Sequence, residues 1–253
     1  QAMKEIILTA HRRVSPADSI GPRELAALID ISAVQAFHAE ADVRELARIA
    51  VAEGFIAAHV LPGFVPLLRS LVPAGGTTMV GGPVGFPGGG HTTRTKVLEA
   101  TGLVADGAEE LDMMINVGRL KSGDLDYVRS DITAVVEAIA PVPLKVILEI
   151  AYLTDDEIRT ASEIVVTSGA AFVKTGTGWT ASATTTEKLR IIAETVAGRA
   201  QVKASGGIRD LATIAGMVRL GVTRFGINTG VAVDLVRQCA ALPGGRLQIA
   251  EQA

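Results

Sequence analysis

The chain alternates short apolar runs with longer amphipathic segments. The apolar runs cover residues 26–31, 55–61, 78–86, 110–116, 144–150, 172–177, 200–204 and 224–229. Between them, apolar positions recur with helical spacing over residues 43–53, 92–107, 125–138, 155–168, 185–197 and 211–220. Eight such repeats in order, with no long linker, predict a closed (β/α)8 barrel, the α/β architecture called the TIM barrel, as one domain over residues 1–253.

An extra helical segment over residues 4–13 precedes the first predicted strand, and we expect it to cover the bottom of the barrel. The competing architecture is an open, doubly wound sheet. Its usual Gly-x-Gly-x-x-Gly turn is missing, because the first predicted strand leads into Ser-Ala-Val-Gln at residues 32–35. A barrel also predicts where chemistry occurs, namely at the C-terminal ends of the strands and in the loops that follow them.

Composition narrows the range of partners. A net charge of -3 over 253 residues gives no reason to expect nucleic acid. The single cysteine, Cys239, argues against a disulfide framework or a thiolate metal cluster and fits a reducing compartment. The apolar stretch near the N-terminus is too short for a signal peptide, and no apolar run reaches the roughly 18 residues of a membrane span. We therefore expect a cytoplasmic protein that binds neither nucleic acid nor membrane.

Two lysines carry the strongest chemical signal. Lys174 and Lys203 each end an apolar run before a glycine-rich stretch, in Phe-Val-Lys-Thr-Gly and Gln-Val-Lys-Ala-Ser-Gly-Gly. They end predicted strands six and seven, so we expect them to lie side by side. Repulsion between two buried ammonium groups favours the loss of one proton, and a neutral amine can form a Schiff base with a carbonyl. The alternative is that each lysine pairs with a buried carboxylate, but two lysines at consecutive strand ends favour chemistry.

Further polar groups lie at the strand ends in apolar surroundings. They are Asp30, His59, Asp112, Asn116, Lys145, Glu149, Thr177 and Asn228. Asp112 is a candidate for moving protons during Schiff-base formation. Lys145 and Glu149 share a strand face, so we expect them to pair. His59 either faces the site or fills space as a hydrogen-bonded side chain, and the histidines lack the spacing of a zinc site, which predicts that no metal is bound.

Glycine-rich loops follow predicted strands six, seven and eight. They contain Gly176-Thr177-Gly178, Ser205-Gly206-Gly207 and Gly226-Ile227-Asn228-Thr229-Gly230, and the last runs into a helical pattern. Free backbone N–H groups beside a helix N-terminus form an anion site, and this corner of a barrel commonly holds phosphate. The three loops together predict a phosphorylated substrate. Trp179, directly after Gly178, is a candidate lid or wall, or else simply packs in the loop.

Ordered motifs along most of the chain resemble those of the deoxyribose-phosphate aldolase family. They are Gly-Phe-Pro at residues 85–87, Glu-Leu-Asp-Met-Met-Ile-Asn-Val-Gly at 110–118, Leu-Lys-Ser-Gly-Asp at 120–124, Leu-Lys-Val-Ile-Leu-Glu at 144–149, Phe-Val-Lys-Thr at 172–175 and Val-Lys-Ala-Ser-Gly-Gly-Ile-Arg at 202–209. The resemblance implies a class I aldolase, an aldehyde-lyase that uses no metal or organic cofactor. It implies reversible cleavage of 2-deoxy-D-ribose 5-phosphate to D-glyceraldehyde 3-phosphate and acetaldehyde, and family members are often homodimers.

The resemblance also implies roles for individual residues. Lys174 would be the Schiff-base lysine, Lys203 would lower its pKa, and Asp112 would shuttle protons. The substrate and its phosphate would be bound by Thr177, Gly178, Gly206, Gly207, Gly226, Asn228, Thr229, Asp30, His59 and Lys145.

The chain departs from the family pattern at several site positions. The first strand reads Asp30-Ile31-Ser32 where Asp-His-Thr or Asp-Leu-Thr is common, and His59 replaces a frequent cysteine. Gly176 stands where the family usually has serine, and Asn228 and Thr229 replace paired serines. The C-terminal tyrosine that some members use as a proton relay is missing. These departures leave two alternatives open: a Schiff-base aldolase for another short sugar phosphate or hydroxy-aldehyde, or a barrel that binds sugar phosphates without catalysis.

Overall fold

A computed structural model describes residues 18–181 and 183–250. Eight parallel strands form a closed barrel in chain order. They are β1 (Ile29–Ala33), β2 (Ala57–Val60), β3 (Met79–Val84), β4 (Glu110–Met114), β5 (Leu144–Ile147), β6 (Phe172–Lys174), β7 (Gln201–Ser205) and β8 (Val222–Asn228). Pairing of β8 with β1 closes the barrel, which confirms the predicted (β/α)8 architecture over the open sheet.

Helices cover the outside of the barrel. They are α1 (Pro22–Ala26), α2 (Glu40–Glu53), α3 (Val65–Leu71), α4 (Thr93–Ala105), α5 (Val117–Lys121), α6 (Leu125–Ile139), α7 (Asp155–Thr167), α8 (Thr186–Val196), α9 (Leu211–Arg219) and α10 (Thr229–Ala241). Single 3-10 turns occupy Pro62–Phe64, Ile150–Tyr152 and Pro243–Gly245. A two-residue antiparallel ribbon pairs Ser19–Ile20 with Leu247–Gln248.

The boundaries of the first repeat differ from the prediction. The first strand was expected to begin at Ala26, but that residue ends helix α1, and β1 begins at Ile29. Pro22 opens the helix, and the Glu24 carboxylate accepts a hydrogen bond of 2.6 Å from the Gly21 N–H, so local capping overrides the apolar pattern. The helix predicted over residues 4–13 lies outside the described residues.

Side chains alternate between the outer and the inner face of the barrel strands, and the two faces differ in polarity. Ile31, Met113 and Val173 belong to the apolar core that the barrel shares with its helices. Their sequence neighbours Asp112 and Lys174 point the other way and contact each other inside the barrel. The barrel therefore keeps its apolar core outside the strands and a charged layer within them. None of the helices in the described part of the chain combines the length and apolar character that a membrane crossing requires.

Candidate active site

Lys174, the last residue of β6, lies beside Lys203, the central residue of β7. They are register partners, and both ammonium groups contact Oδ2 of Asp112 at 2.7 Å. Lys145 Nζ approaches the other oxygen of Asp112 at 3.1 Å. The predicted juxtaposition of the two lysines is therefore present, with a carboxylate placed between them.

The pKa values of the two lysines are shifted in opposite directions. Burial lowers the pKa of Lys174 to about 8, with Lys203 acting in the same direction and Asp112 opposing it. Burial alone would lower the pKa of Lys203 too, but Asp112 and Asp30 outweigh it and raise that pKa above its ordinary value. Burial would raise the pKa of Asp112, yet Lys145, Lys174 and Lys203 hold it well below its usual range. Lys174 is therefore the amine that loses its proton most easily.

A second charged layer supports the first. Arg224 Nη1 lies 2.6 Å from Oδ1 of Asp30 and 3.3 Å from the Glu110 carboxylate, and Lys203 Nζ lies 2.6 Å from Oδ2 of Asp30. Lys145 Nζ lies 2.6 Å from Glu110. The carboxylates of Asp30, Glu110 and Asp112 are thus matched by the cations Lys145, Lys203 and Arg224. The three negative and three positive charges of this cluster balance without Lys174. A neutral Lys174 therefore leaves no charge of the cluster uncompensated.

The expected pairing of Lys145 with Glu149 is wrong. Strand β5 ends at Ile147, and Glu149 adopts a left-handed backbone conformation with φ of 53°, so the alternation of strand faces stops before it. Its carboxylate accepts hydrogen bonds from the backbone N–H of Thr177, at 3.2 Å, and from the Thr177 hydroxyl. Glu149 therefore holds the loop that follows Lys174.

A cavity of about 600 Å³ opens above this cluster. Of the predicted residues, its wall contains Asp30, His59, Asp112, Lys174, Thr177, Gly178, Lys203, Gly206, Gly207, Gly226 and Asn228. Lys145 was expected to bind substrate, but its side chain is fully buried between Glu110 and Asp112 and lies outside that wall. Thr229 lies at the start of α10, behind the wall. Asn116 caps α5 through a 3.1 Å bond from Arg119 N–H and is also outside the wall.

One side of the cavity suits an anion. Helix α10 points its N-terminus toward Asn228, whose side-chain oxygen accepts a 3.1 Å bond from Gly230 N–H. Gly207 has φ of 77°, and a Cβ there would lie 2.4 Å from that of Ala183. At Gly226 a Cβ would lie 2.2 Å from the Ser205 hydroxyl. A side chain at either position would crowd this side of the cavity, and Gly207 also has the backbone conformation that favours glycine.

The wall also contains residues that were not predicted from the sequence to bind substrate. Ser32, Gln35, His38, Phe86, Ser205, Ile208 and Arg209 also line the cavity. Arg209 and Phe86 stand within motifs that carried the family resemblance, which was the available signal. Trp179 is not part of this wall but packs edge-on against Phe86, with ring centroids 5.4 Å apart, so it supports the wall from outside.

One group of donors has the geometry of a cation site. Ligand atoms of Asp30, His59 and Glu110 lie within 4.8 Å of one another. However, Arg224 and Lys203 already occupy the Asp30 oxygens at 2.6 Å. A metal ion would have to displace these ammonium and guanidinium groups, so the donor set does not fit a metal.

The fold and cavity are those of a (β/α)8 barrel with a lysine of lowered pKa at the C-terminal ends of its strands, and comparisons with known proteins identify its family. The family model described as DeoC/LacD family aldolase matches residues 27–233. A protein of Rhizobium meliloti named deoxyribose-phosphate aldolase is 77% identical over 244 residues, which are 96% of this chain and 98% of that protein. One of the same name from Methanothermobacter thermautotrophicus is 47% identical, covering 83% of this chain and 93% of its own. The chain belongs to the DeoC/LacD family of aldolases.

Solved structures agree with this assignment. The structure called QR15, an aldolase, superposes with a TM-score of 0.81 at 35% identity and covers 88% of this chain and all of its own. A tetrameric deoxyribose phosphate aldolase from Aeropyrum pernix superposes with a TM-score of 0.77 at 26% identity, covering 95% of this chain and 99% of its own.

Proposed function

We propose that this chain is a class I aldolase that reversibly cleaves 2-deoxy-D-ribose 5-phosphate to D-glyceraldehyde 3-phosphate and acetaldehyde. One observation carries the proposal: Lys174, with a pKa lowered to about 8, contacts Asp112 at 2.7 Å on the wall of a cavity that has an anion-binding side. Relatives at 77% identity that are named deoxyribose-phosphate aldolase support the choice of substrate.

The first chemical step would be attack by the neutral Lys174 amine on the substrate carbonyl. Because Lys174 carries no charge as the free amine or as the carbinolamine, Asp112 then has only Lys145 and Lys203 as cations beside it and holds a proton more easily than when Lys174 is an ammonium. Asp112 would carry protons between the amine and the departing hydroxyl. Lys203, which stays protonated, would supply positive charge and keep the pKa of Lys174 low. The product of this step is an iminium ion on Lys174, which draws electrons from the bond to be broken.

The phosphate would bind at the anion side of the cavity. The backbone N–H groups of Gly206 and Gly207, and the N-terminus of α10 beyond Asn228, offer donors to it. Thr177 and Gly178 would complete the pocket beside the lysine. Arg209 on the same wall adds a positive charge.

A second candidate is a Schiff-base aldolase for another short sugar phosphate. This candidate is supported by His59 and Asn228, which differ from the common family residues and both line the cavity. Initial rates of cleavage should be compared for deoxyribose 5-phosphate, ribose 5-phosphate and unphosphorylated deoxyribose. We expect kcat/KM to be highest for deoxyribose 5-phosphate and to fall at least tenfold without the phosphate. Equal or faster cleavage of another sugar phosphate would favour the second candidate.

Further expectations stay proposals. One barrel domain over residues 1–253 is supported by the family match over 27–233. Self-association is supported by the tetrameric relative from Aeropyrum pernix, and light scattering tests it. A cytoplasmic location is supported by the single, buried Cys239.

A further inference from the structure

Carbon–carbon cleavage requires a base for the hydroxyl proton on the carbon beyond the broken bond. The charged residues on the cavity wall are poorly suited to this step. Asp112 contacts three ammonium groups, and the iminium on Lys174 would keep a positive charge beside it. Asp30 is bound by Arg224 and Lys203 at 2.6 Å each. Asp112 therefore has less affinity for a proton at this step than in the uncharged carbinolamine, and Asp30 keeps both of its cations throughout.

His59 has the features that these carboxylates lack. It is 5% exposed and lines the cavity, and its Nε2 lies 2.8 Å from Oε1 of Glu110. Lys145 and Arg224 keep the pKa of Glu110 well below its ordinary value despite burial, so Glu110 is an ionised acceptor. Nε2 must then carry the ring proton, and Nδ1 has the free lone pair. Burial lowers the pKa of His59, against the influence of Asp112, so the ring is neutral at pH 7.

The Nδ1 atom of His59 is available to substrate. Among the described residues, no group forms a hydrogen bond with this atom. It is also absent from the set of fully buried polar atoms that lack a partner, so it is open to the cavity. Glycine at position 81 makes room for the ring, because a Cβ on Gly81 would lie 2.2 Å from Cε1 and 2.5 Å from Nδ1 of His59. Glu110 and Gly81 together fix how the ring faces the cavity.

We propose that His59 is a catalytic base that accepts the hydroxyl proton of the substrate during carbon–carbon cleavage. This inference rests on the proposed aldolase function. His59 belongs to the same connected cluster as the reactive lysine: its Nε2 lies 3.7 Å from Asp30, Asp30 contacts Lys203, and Lys203 shares Asp112 with Lys174.

Cleavage of the carbon–carbon bond transfers one proton to His59 and shifts three electron pairs. Nδ1 of His59 takes the hydroxyl proton, and the O–H bonding pair becomes the new carbonyl bond of the released aldehyde. The pair of the broken carbon–carbon bond forms the enamine double bond, and the iminium pair returns to the Lys174 nitrogen. Glu110 stabilises the imidazolium that forms. The ring returns its proton when the enamine carbon is protonated, so it is neutral again before water releases acetaldehyde.

Two variants separate the base from its hydrogen bond to Glu110. His59→Gln keeps an amide N–H near the position of Nε2, and His59→Asn keeps an acceptor near Nδ1, but neither amide is basic. The matched control is His91→Asn, which removes an exposed imidazole that is not part of the cavity wall. For each variant, cleavage of deoxyribose 5-phosphate is measured beside borohydride trapping of acetaldehyde on Lys174, with thermal unfolding to verify the fold.

We expect both His59 variants to lose cleavage activity by about 10²- to 10⁴-fold while the acetaldehyde adduct forms at the wild-type rate, with His91→Asn near wild type. Cleavage at the wild-type rate in both His59 variants would overturn the inference. So would parallel loss of cleavage and adduct, since that indicates a structural role. If wild-type protein forms an adduct but does not cleave this substrate, the proposed substrate fails; if it forms no adduct, the Schiff-base chemistry fails. Either result overturns the inference with it.

A double-mutant cycle with Gly81 tests the orientation of the ring. Gly81→Ala should slow cleavage in the wild-type background, because the new Cβ displaces His59. In the His59→Asn background the same change should have a much smaller effect, since the imidazole is gone. An equal effect in both backgrounds would contradict the role of Gly81 in placing the base.

Discussion

At the scale of single residues, burial of a lysine does not by itself indicate reactivity. Four lysines are buried in the described part of the chain: Lys96, Lys145, Lys174 and Lys203. Lys96 donates to Asp131 at 2.6 Å and to the Met114 carbonyl at 3.0 Å, which makes it a structural link between α4, α6 and β4. Lys145 sits between two carboxylates. Burial lowers the pKa of Lys174 against its single carboxylate contact, whereas the two carboxylate contacts of Lys203 raise the pKa of that lysine.

The titration of Lys174 gives a pH prediction. The amine attacks only when neutral, so the rate of adduct formation with acetaldehyde should rise with pH and level off above its pKa of about 8. Lys203→Leu removes a neighbouring positive charge that lowers this pKa, so its midpoint should move to higher pH. Rapid-quench borohydride trapping between pH 6 and 10 measures both curves. An unchanged or lower midpoint in Lys203→Leu would contradict the assigned role of Lys203.

At the scale of elements, the order of the strands could be predicted from sequence, but the residues at which several of them end could not. Alternation within strands correctly brought Lys174 beside Lys203. It failed for Glu149, because the chain leaves the strand and turns with a positive φ before reaching that residue. It also gave no signal for Lys96, whose position on a helix looks like an ordinary exposed one until Asp131 packs over it. Local sequence patterns do not show which residues of distant elements contact each other.

The loop after β7 gives a prediction for substrate binding. Gly207→Ala places a Cβ 2.4 Å from Ala183 at a backbone conformation with φ of 77°, which costs about 1–2 kcal/mol for a residue with a side chain. We expect KM for deoxyribose 5-phosphate to rise about tenfold or more, a change equivalent to about 1.4 kcal/mol. Adduct formation with acetaldehyde, which has no phosphate, should stay near wild type.

The control for this loop variant is Gly102→Ala. Gly102 lies in α4, and a Cβ there would meet nothing within 4 Å. This change should leave KM unaltered and stabilise the helix by about 0.5–1 kcal/mol. An unchanged KM in folded Gly207→Ala, measured beside this control, would show that the loop does not bind the phosphate.

At the scale of the whole molecule, the eight strands of the barrel surround one charged interior. The count and order of the strands, and the position of chemistry at their C-terminal ends, could be predicted because the apolar period repeats eight times. The charge balance of the barrel interior could not be predicted, because it depends on contacts across the closed barrel. The residues that take part in it are Asp30, Glu110, Asp112, Lys145, Lys203 and Arg224. Arg224 was missed for this reason: it contacts residues 194 and 114 positions away in sequence.

The most direct test of the account is to identify the lysine that forms the Schiff base. Protein is mixed with acetaldehyde or deoxyribose 5-phosphate, reduced with borohydride and mapped by peptide mass spectrometry, with Lys174→Ala and the structural variant Lys145→Met alongside. We expect a stable adduct on Lys174, and none in folded Lys174→Ala, which should have no cleavage activity. An adduct on Lys203 or Lys145, or normal cleavage by Lys174→Ala, would contradict it.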